Sequence, residues 1–458
     1  MTLIILLCRL LAWIQRASTL RWRPEHLAVG HSTAIKCGGD LELCGCCGGR
    51  DGAEAGVRRQ RGALRACQGR SFHHLARVLE DPDPVHRAQA RMRRSFFAGR
   101  NLALGGCGAC VVLLSTYDPV SDQVKEFSVS SCLTLLCSIN FCSVITSEGL
   151  GNTKDGFHPI HQRFAGFHAS QCGFCTPGMC MSLFSALVNA DKTSRSEPPC
   201  GFSKITKFEA EKAIAGNLCR CTGYRPIADV CKSFAVDVDL EDLGLNTFWK
   251  KEAKDANVGR LPCHDQGKIC TFPEFLKSEI KSSVDILDNS KNTGLPESQW
   301  YRPSSIRELY ELLNSDSFSK SRVKLVVGNT GSGVYKENDL YDKYIDLKGI
   351  SELSVIRRDS EGISFGAAVT ISRAIEVLKE RKESEPHSNK RLVFNKIAEH
   401  MDKVASPFIR NMASLGGNLI MAQRSQFASD VATILLAAGS TVCLQMASER
   451  LVLSLGVF

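Results

Sequence analysis

The chain has 458 residues, 43% of them hydrophobic and 23% charged, with 21 cysteines and a formal net charge of +9. That length suits about three domains of ordinary globular composition. No apolar run reaches the ~18 residues of a membrane-spanning helix and no long low-complexity tract appears, so neither a transmembrane nor a mostly disordered protein is expected.

The excess charge lies in residues 1–104, which hold 16 Arg and 1 Lys against 8 acidic residues, while residues 105–458 are neutral. The arginines are scattered, with no aromatic interleaving and no zinc-finger spacing, which argues against a nucleic-acid-binding arm. The segment reads as an atypical stretch unrelated in origin to the rest. Its first residues resemble a signal peptide only superficially: Arg9 breaks the apolar run, no basic region precedes it and no small-residue cleavage site follows. Cys44, Cys46 and Cys47 lie among glycines without a second pair at ligand spacing and read as unpaired. From Cys107 onward the cysteines form short-spaced groups in a long chain, which suits metal ligation in a reducing, cytoplasmic compartment better than a disulfide framework.

Taken in chain order, short strands are predicted at 111–114 and 127–129 around a polar turn at 118–122. Residues 148–240 read as helical. Thr176-Pro177 is a helix start with Thr as cap, and Met179, Leu183, Phe184, Leu187 and Val188 form one apolar stripe. Thr206 and Glu209 make a capping box that opens a second helix through Ala213, Ile214 and Leu218. Residues 246–297 are polar and read as a linker. An α/β pattern begins at Trp300. Ser305 and Glu308 open a helix carrying Ile306, Leu309, Leu312 and Leu313, strands are expected at 324–327, 344–347, 363–369 and 441–445, and helices near 372–379, 393–404 and 429–438.

Two tight cysteine pairs, Cys172/Cys175 and Cys219/Cys221, each adjoin a predicted helix. Four thiolates gathered from two close pairs suit zinc or an iron–sulfur cluster, and the C-x-C spacing is unusual for zinc. Cys107, Cys110 and Cys132 form a second group. Against the plant-type ferredoxin spacing C-x₄-C-x₂-C followed by a distant cysteine, three of four ligands are present, and Leu102 stands where the first is expected. Gly328–Gly333 follows a predicted strand, and its glycines would let backbone N–H groups approach a pyrophosphate; it matches neither G-x-G-x-x-G nor a P-loop. Ser414–Asn418 supplies a second glycine loop.

The motifs QCGFCTPGM at 171–179, GNLCRCTGYRPI at 216–227, GGCGACVV at 105–112 and SCLTLLCSIN at 131–140 resemble the molybdo-flavoenzymes, the xanthine dehydrogenases and aldehyde oxidases. KLVVGNTGSGVYK at 324–336 and the stretch from ASLGGN at 413 to Val442 are most similar to plant aldehyde oxidases. The resemblance covers about 105–450. It implies an α+β multidomain chain: an atypical segment over 1–104, a remnant β-grasp ferredoxin-like domain over 105–147, a helical 2Fe–2S domain over 148–245, the linker, and an α+β FAD-binding domain of PCMH type, truncated, over 298–458.

The resemblance also implies roles. Cys107, Cys110 and Cys132 match ligands of a ferredoxin-type 2Fe–2S cluster, which is expected to be absent or labile for want of the fourth. Cys172, Cys175, Cys219 and Cys221 match ligands of the helical-domain 2Fe–2S cluster. Gln171 and Cys221 match positions lying against the molybdopterin of full-length members. Leu325, Val326, Val327, Gly328, Asn329, Thr330, Gly331, Ser332, Ser414, Leu415, Gly416, Gly417 and Asn418 match loops that cradle the FAD diphosphate, and Phe365 and Asp430 match further flavin contacts. Weak FAD retention is expected, since cover for the flavin ring is placed beyond residue 450. Cys137, Cys142, Cys180, Cys200 and Cys231 match no ligand position. The implied function is an aldehyde-oxidase-like oxidoreductase chain carrying the iron–sulfur and FAD modules without the molybdopterin substrate domain. The alternative is a non-catalytic truncated product holding one cluster at most. Implied partners are a small-molecule electron acceptor and a second copy of the chain, with no nucleic acid and no membrane.

Overall fold

The computed structural model describes residues 2–4, 105–152, 156–243, 272–283, 299–335, 341–359, 362–380, 389–425, 427–446 and 449–458. Cys44, Cys46, Cys47 and Leu102 lie outside them. Strand β1 spans Thr2–Ile4.

Strands β2 (Val111–Asp118) and β3 (Gln123–Ser130) form a hairpin paired from Val111↔Ser130 to Asp118↔Gln123. Both run longer than predicted. Polar residues such as Thr116 and Lys125 continue the ladder toward a turn in which the Asp118 carboxylate accepts from the Val120 N–H at 3.0 Å. Strand β4 (Ser143–Ile145) pairs with the other edge of β2, and β5 (Gly151–Asn152) and β6 (Gly156–Phe157) form a short antiparallel pair.

This sheet packs on a helical unit: α1 (Pro159–Gly166), α2 (Thr176–Asp191), α3 (Lys207–Ala213) and α4 (Arg225–Ser233). Helix α2 is buried on more than one face, with Met179, Met181 and Leu183 inaccessible, so it is a core helix and not the single-striped one predicted. Its cap is Cys175; Thr176 is the first helical residue. The capping box at α3 is present in both directions, Glu209 N–H to Thr206 Oγ1 at 3.3 Å and Thr206 N–H to the Glu209 carboxylate at 3.0 Å. Helix α3 stops at Ala213, and Leu218 lies exposed in the loop beyond. There the side chain of Asn217 is engaged by Ser182 and Gly108, which pulls the chain out of the helical path.

The predicted linker contains a ten-residue helix, Glu274–Ser283. Phe272 and Leu276 are buried, and the Phe272 ring lies 5.8 Å from that of Tyr117 on the hairpin. This tertiary burial is what holds a polar, weakly periodic segment helical.

The last part has two sheets. Strands β7 (Gln299–Tyr301), β8 (Val323–Val326) and β9 (Lys343–Asp346) are parallel, in the order β7-β9-β8, beside the Ser305-capped helix Ile306–Asn314. The second sheet runs β10 (Ile356–Arg358), β11 (Ile363–Gly366), β1, β12 (Thr441–Gln445) and β13 (Arg450–Ser454). Thr2–Ile4 is its middle strand, parallel to both neighbours, with Leu3 opposite Phe365 and Val442. A strand within 1–104 was not anticipated. Helices Ile371–Lys379, Asn389–Met401, Leu415–Ser425 and Asp430–Ala437 complete this core. No helix among the described residues is long and apolar enough to cross a membrane.

Candidate functional site

Cys175 sits at the start of α2, with Cys172 in the turn before it, and Cys219 and Cys221 lie in the loop between α3 and α4. Folding brings the two pairs face to face. The Cys221 and Cys172 sulfurs are 3.2 Å apart, and the Cys175 and Cys219 thiols are hydrogen-bonded to each other. Cys172 and Cys221 are exposed, whereas Cys175 and Cys219 are buried. Burial pushes the Cys175 thiol up to about 12, and its hydrogen bond with Cys219 adds to the rise. Burial also raises Cys219, but hydrogen bonds from the Thr222 hydroxyl and N–H and from the Cys221 N–H outweigh it, leaving this thiol below its usual range. The hydrogen bond with Cys172 raises Cys221.

Among the described residues no three His, Cys, Asp or Glu side chains converge as the ligands of a single metal ion. Four thiols in two close pairs are a donor set of the kind that would hold a 2Fe–2S cluster. Gln171, beside Cys172, is exposed, as is Cys221.

Of the second group, Cys110 and Cys132 are brought together. Cys110 and Cys132 are hydrogen-bonded to each other, Ser130 Oγ lies 3.4 Å from Cys110 Sγ, and the Gly105 N–H donates to Cys132 Sγ at 3.2 Å. Hydrogen bonding from Cys132 holds the Cys110 thiol down at about 5, and the same bond pushes Cys132 up. A lowered thiol at Cys110 favours the thiolate form that binds a metal. Cys107 lies in the loop before Cys110.

These two loops touch. The Leu218 N–H donates to the Cys107 carbonyl at 2.8 Å, and Asn217 Nδ2 donates to the Gly108 carbonyl at 3.0 Å. At the start of α2 the fit is tight enough that a Cβ on Gly178 would lie 2.0 Å from the Gly108 carbonyl oxygen.

The first glycine loop leaves β8. Leu325 and Val326 belong to that strand, and Val327 packs beside it. Gly328 passes so close to the next segment that a Cβ there would lie 1.9 Å from the Met412 carbonyl oxygen. Asn329 takes a left-handed conformation, φ 56°, and its side chain accepts from Ser332 Oγ at 2.9 Å. The N–H groups of Ser332, Gly333 and Val334 are used inside the loop. Those of Gly328, Asn329, Thr330 and Gly331 make no hydrogen bond to any described residue. Four successive N–H groups in a turn, without a partner among the described residues, are an anion-binding arrangement. Asn329 Nδ2 also donates to the Leu133 carbonyl at 3.0 Å, which ties this loop to the residue after Cys132.

The second loop differs from expectation. The N–H groups of Leu415, Gly416, Gly417 and Asn418 all donate inside the protein, to Val369, Ala367, Ser414 Oγ and Ser414 O. It can offer side chains to a diphosphate but no spare backbone donors. Asp430 is exposed as the first residue of its helix, behind the Ser429 cap, while the Phe365 ring is wholly buried in the sheet. A cleft of about 740 Å³ lined by residues including Tyr310, Arg357 and Arg450 includes none of the residues of either glycine loop. Motif reading missed Asn217, Leu218, Thr222 and Tyr224, which lie inside GNLCRCTGY but are not metal-ligand residue types.

Comparison with known proteins agrees with this geometry. Residues 146–232 match the family described as "[2Fe-2S] binding domain", and residues 296–458 match "FAD binding domain in molybdopterin dehydrogenase". An indole-3-acetaldehyde oxidase of Zea mays is 64% identical over 355 residues, covering 77% of this chain and 26% of the relative. Across that matched length the chain is similar to the plant aldehyde oxidases. A probable aldehyde oxidase 4 of Oryza sativa subsp. japonica is 60% identical over 368 residues, 80% of this chain and 44% of the relative. The flavin-family match runs to residue 458, past the predicted end of the resemblance near 450, and takes in β13. This aldehyde-oxidase-like chain spans about a quarter of the length of the first of these relatives. Among solved structures, quinoline 2-oxidoreductase from Pseudomonas putida 86 is 32% identical over 32% of this chain and 79% of its own, with a TM-score of 0.22.

Proposed function

We propose that this chain is the electron-carrying portion of an aldehyde-oxidising enzyme. Cys172, Cys175, Cys219 and Cys221 hold one 2Fe–2S cluster, and Cys107, Cys110 and Cys132 supply three ligands of a second. Gly328–Gly331 binds the FAD diphosphate through its N–H groups, with the side chains of Ser414 and Asn418 beside it. Bound there, the clusters supply one-electron and the flavin two-electron redox chemistry.

The observation that carries the proposal is the contiguity of the three sites. Leu218, one residue before Cys219, is hydrogen-bonded to Cys107, and Asn329 of the flavin loop is hydrogen-bonded to Leu133, one residue after Cys132. The protein's part is to hold these loops at van der Waals contact and to shield Cys175 and Cys219 from water. No residue of this chain is assigned to the aldehyde. An external electron acceptor and pairing with a second copy belong to the same proposal.

The test is iron, sulfide and flavin analysis of the whole chain loaded anaerobically, with FAD in the buffer. Two irons per chain held firmly through Cys219, with a second cluster at Cys107, Cys110 and Cys132 more weakly held, is the expected result. A colourless, zinc-loaded protein would overturn the proposal.

A further inference from the structure

We propose that Thr222 is a positioning residue whose hydroxyl donates to the Cys219 sulfur and raises the reduction potential of the cluster held there. The inference rests on the reading of Cys219 as a cluster ligand.

Three residues close a ring of hydrogen bonds. The Cys219 N–H donates to the Tyr224 hydroxyl at 2.9 Å. The Tyr224 N–H donates to Thr222 Oγ1 at 3.1 Å. Thr222 Oγ1 lies 3.0 Å from Cys219 Sγ, and the Thr222 N–H points at the same sulfur at 3.5 Å. The Tyr224 N–H occupies a lone pair of the Thr222 oxygen, so the hydroxyl proton is left to point elsewhere. A metal-bound thiolate has no proton to give, which leaves the hydroxyl as donor and the sulfur as acceptor. Gly223, between Thr222 and Tyr224, takes a left-handed conformation, φ 67°, which turns the Tyr224 N–H back toward Thr222. Among the described residues no other side-chain hydroxyl is hydrogen-bonded to any of the four sulfurs.

The sign follows from charge. Reduction adds one electron to the cluster and makes its sulfurs better acceptors, so a donor aimed at Cys219 Sγ stabilises the reduced form more than the oxidised form. Removing it must lower the potential. The Cys219 sulfur is buried and Thr222 is half-buried, so water replaces the lost donor only in part.

The test is the midpoint potential of the whole chain, followed through the paramagnetic signal that Cys221→Ser alters, in Thr222→Val and Thr222→Ser. The valine keeps the shape and loses the hydroxyl; the serine keeps the hydroxyl. Thr222→Val is expected to shift the reduction equilibrium roughly tenfold toward the oxidised cluster, about 59 mV for one electron, and Thr222→Ser to stay near the parent. If Thr222→Val fails to load while Thr222→Ser loads, Thr222→Ala is measured in its place and the same shift is expected. An unchanged potential in Thr222→Val, or failure of both variants to load, overturns it. Failure of the parent chain to bind iron would instead sink the ligand assignment itself.

Discussion

The backbone N–H of Leu218 reaches the carbonyl of Cys107 across 2.8 Å, and the residue that follows Leu218 is Cys219. A single hydrogen bond therefore joins the backbones of two cysteine loops that are more than a hundred residues apart in sequence. Asn217 strengthens the junction: it donates to Gly108 and accepts from Ser182 on α2, so both loops are fixed to one helix.

Substituting Gly178 by Ala should break this junction. The added Cβ would overlap the Gly108 carbonyl oxygen, and neither α2 nor the Cys107–Cys110 loop can yield without losing the bonds to Leu218 and Asn217. A destabilisation of about 1–3 kcal/mol is expected in urea unfolding, as for overpacked cores. Wild-type stability in this variant would show that the loops are not in contact.

Cysteine replacements should sort by position. Cys219→Ser should abolish or strongly reduce iron binding, because a hydroxyl is a poor replacement for a thiolate. Cys180→Ser, in a site wholly buried on α2, should keep the iron and lose only stability. Iron content measured on the two proteins side by side decides; equal loss in both would remove the assignment of Cys219 as a ligand.

Acid should weaken the helical unit through Glu209. A bidentate pair with Arg195, at 2.6 and 2.7 Å, and the capping hydrogen bonds hold its carboxyl down at about 2. A depressed native pKa stabilises the fold above the unfolded value and loses that contribution as pH falls from about 4.5 toward 2. Both side chains are 42% exposed, so solvent screening reduces the effect to about 1 kcal/mol. Glu209→Gln should flatten the stability profile across that pH window, and an unchanged slope would show the pair to be unimportant.

Strand β1 yields a further expectation. Thr2–Ile4 is flanked on both sides, with Leu3 opposite the buried Phe365 and Val442. Leu3→Pro removes a ladder donor from the middle of the sheet and should cost about 3 kcal/mol or more. It should be read by thermal unfolding together with FAD retention. No change in either would mean that β11 and β12 do not depend on this strand.

Local chemistry was legible in the sequence wherever it is encoded by adjacent residues. The Thr206–Glu209 box, the Ser305 cap and the two cysteine pairs were all readable from spacing. The three-residue strands at Gln299–Tyr301 and Ile356–Arg358 were not, because two or three residues cannot establish an alternation. The helix at Glu274–Ser283 was hidden for another reason: its stability comes from Phe272 and Leu276 packing on Tyr117, a contact that spans the chain. In the site, residue types indicated which groups could bind iron or phosphate. They could not say that Leu218 meets Cys107, nor that the Ser414–Asn418 loop spends its own N–H groups internally, because both are products of tertiary packing.

The central claim, that the cysteine loops and the flavin loop form one contiguous relay, is tested most directly by intramolecular reduction. The whole chain, loaded with iron and sulfide and supplied with FAD, would be photoreduced at the flavin under anaerobic conditions while the visible iron–sulfur bands are followed. Bleaching of those bands at a rate independent of protein concentration is the expected result. A reduced flavin beside iron–sulfur bands that persist, or that bleach only in proportion to protein concentration, would contradict it.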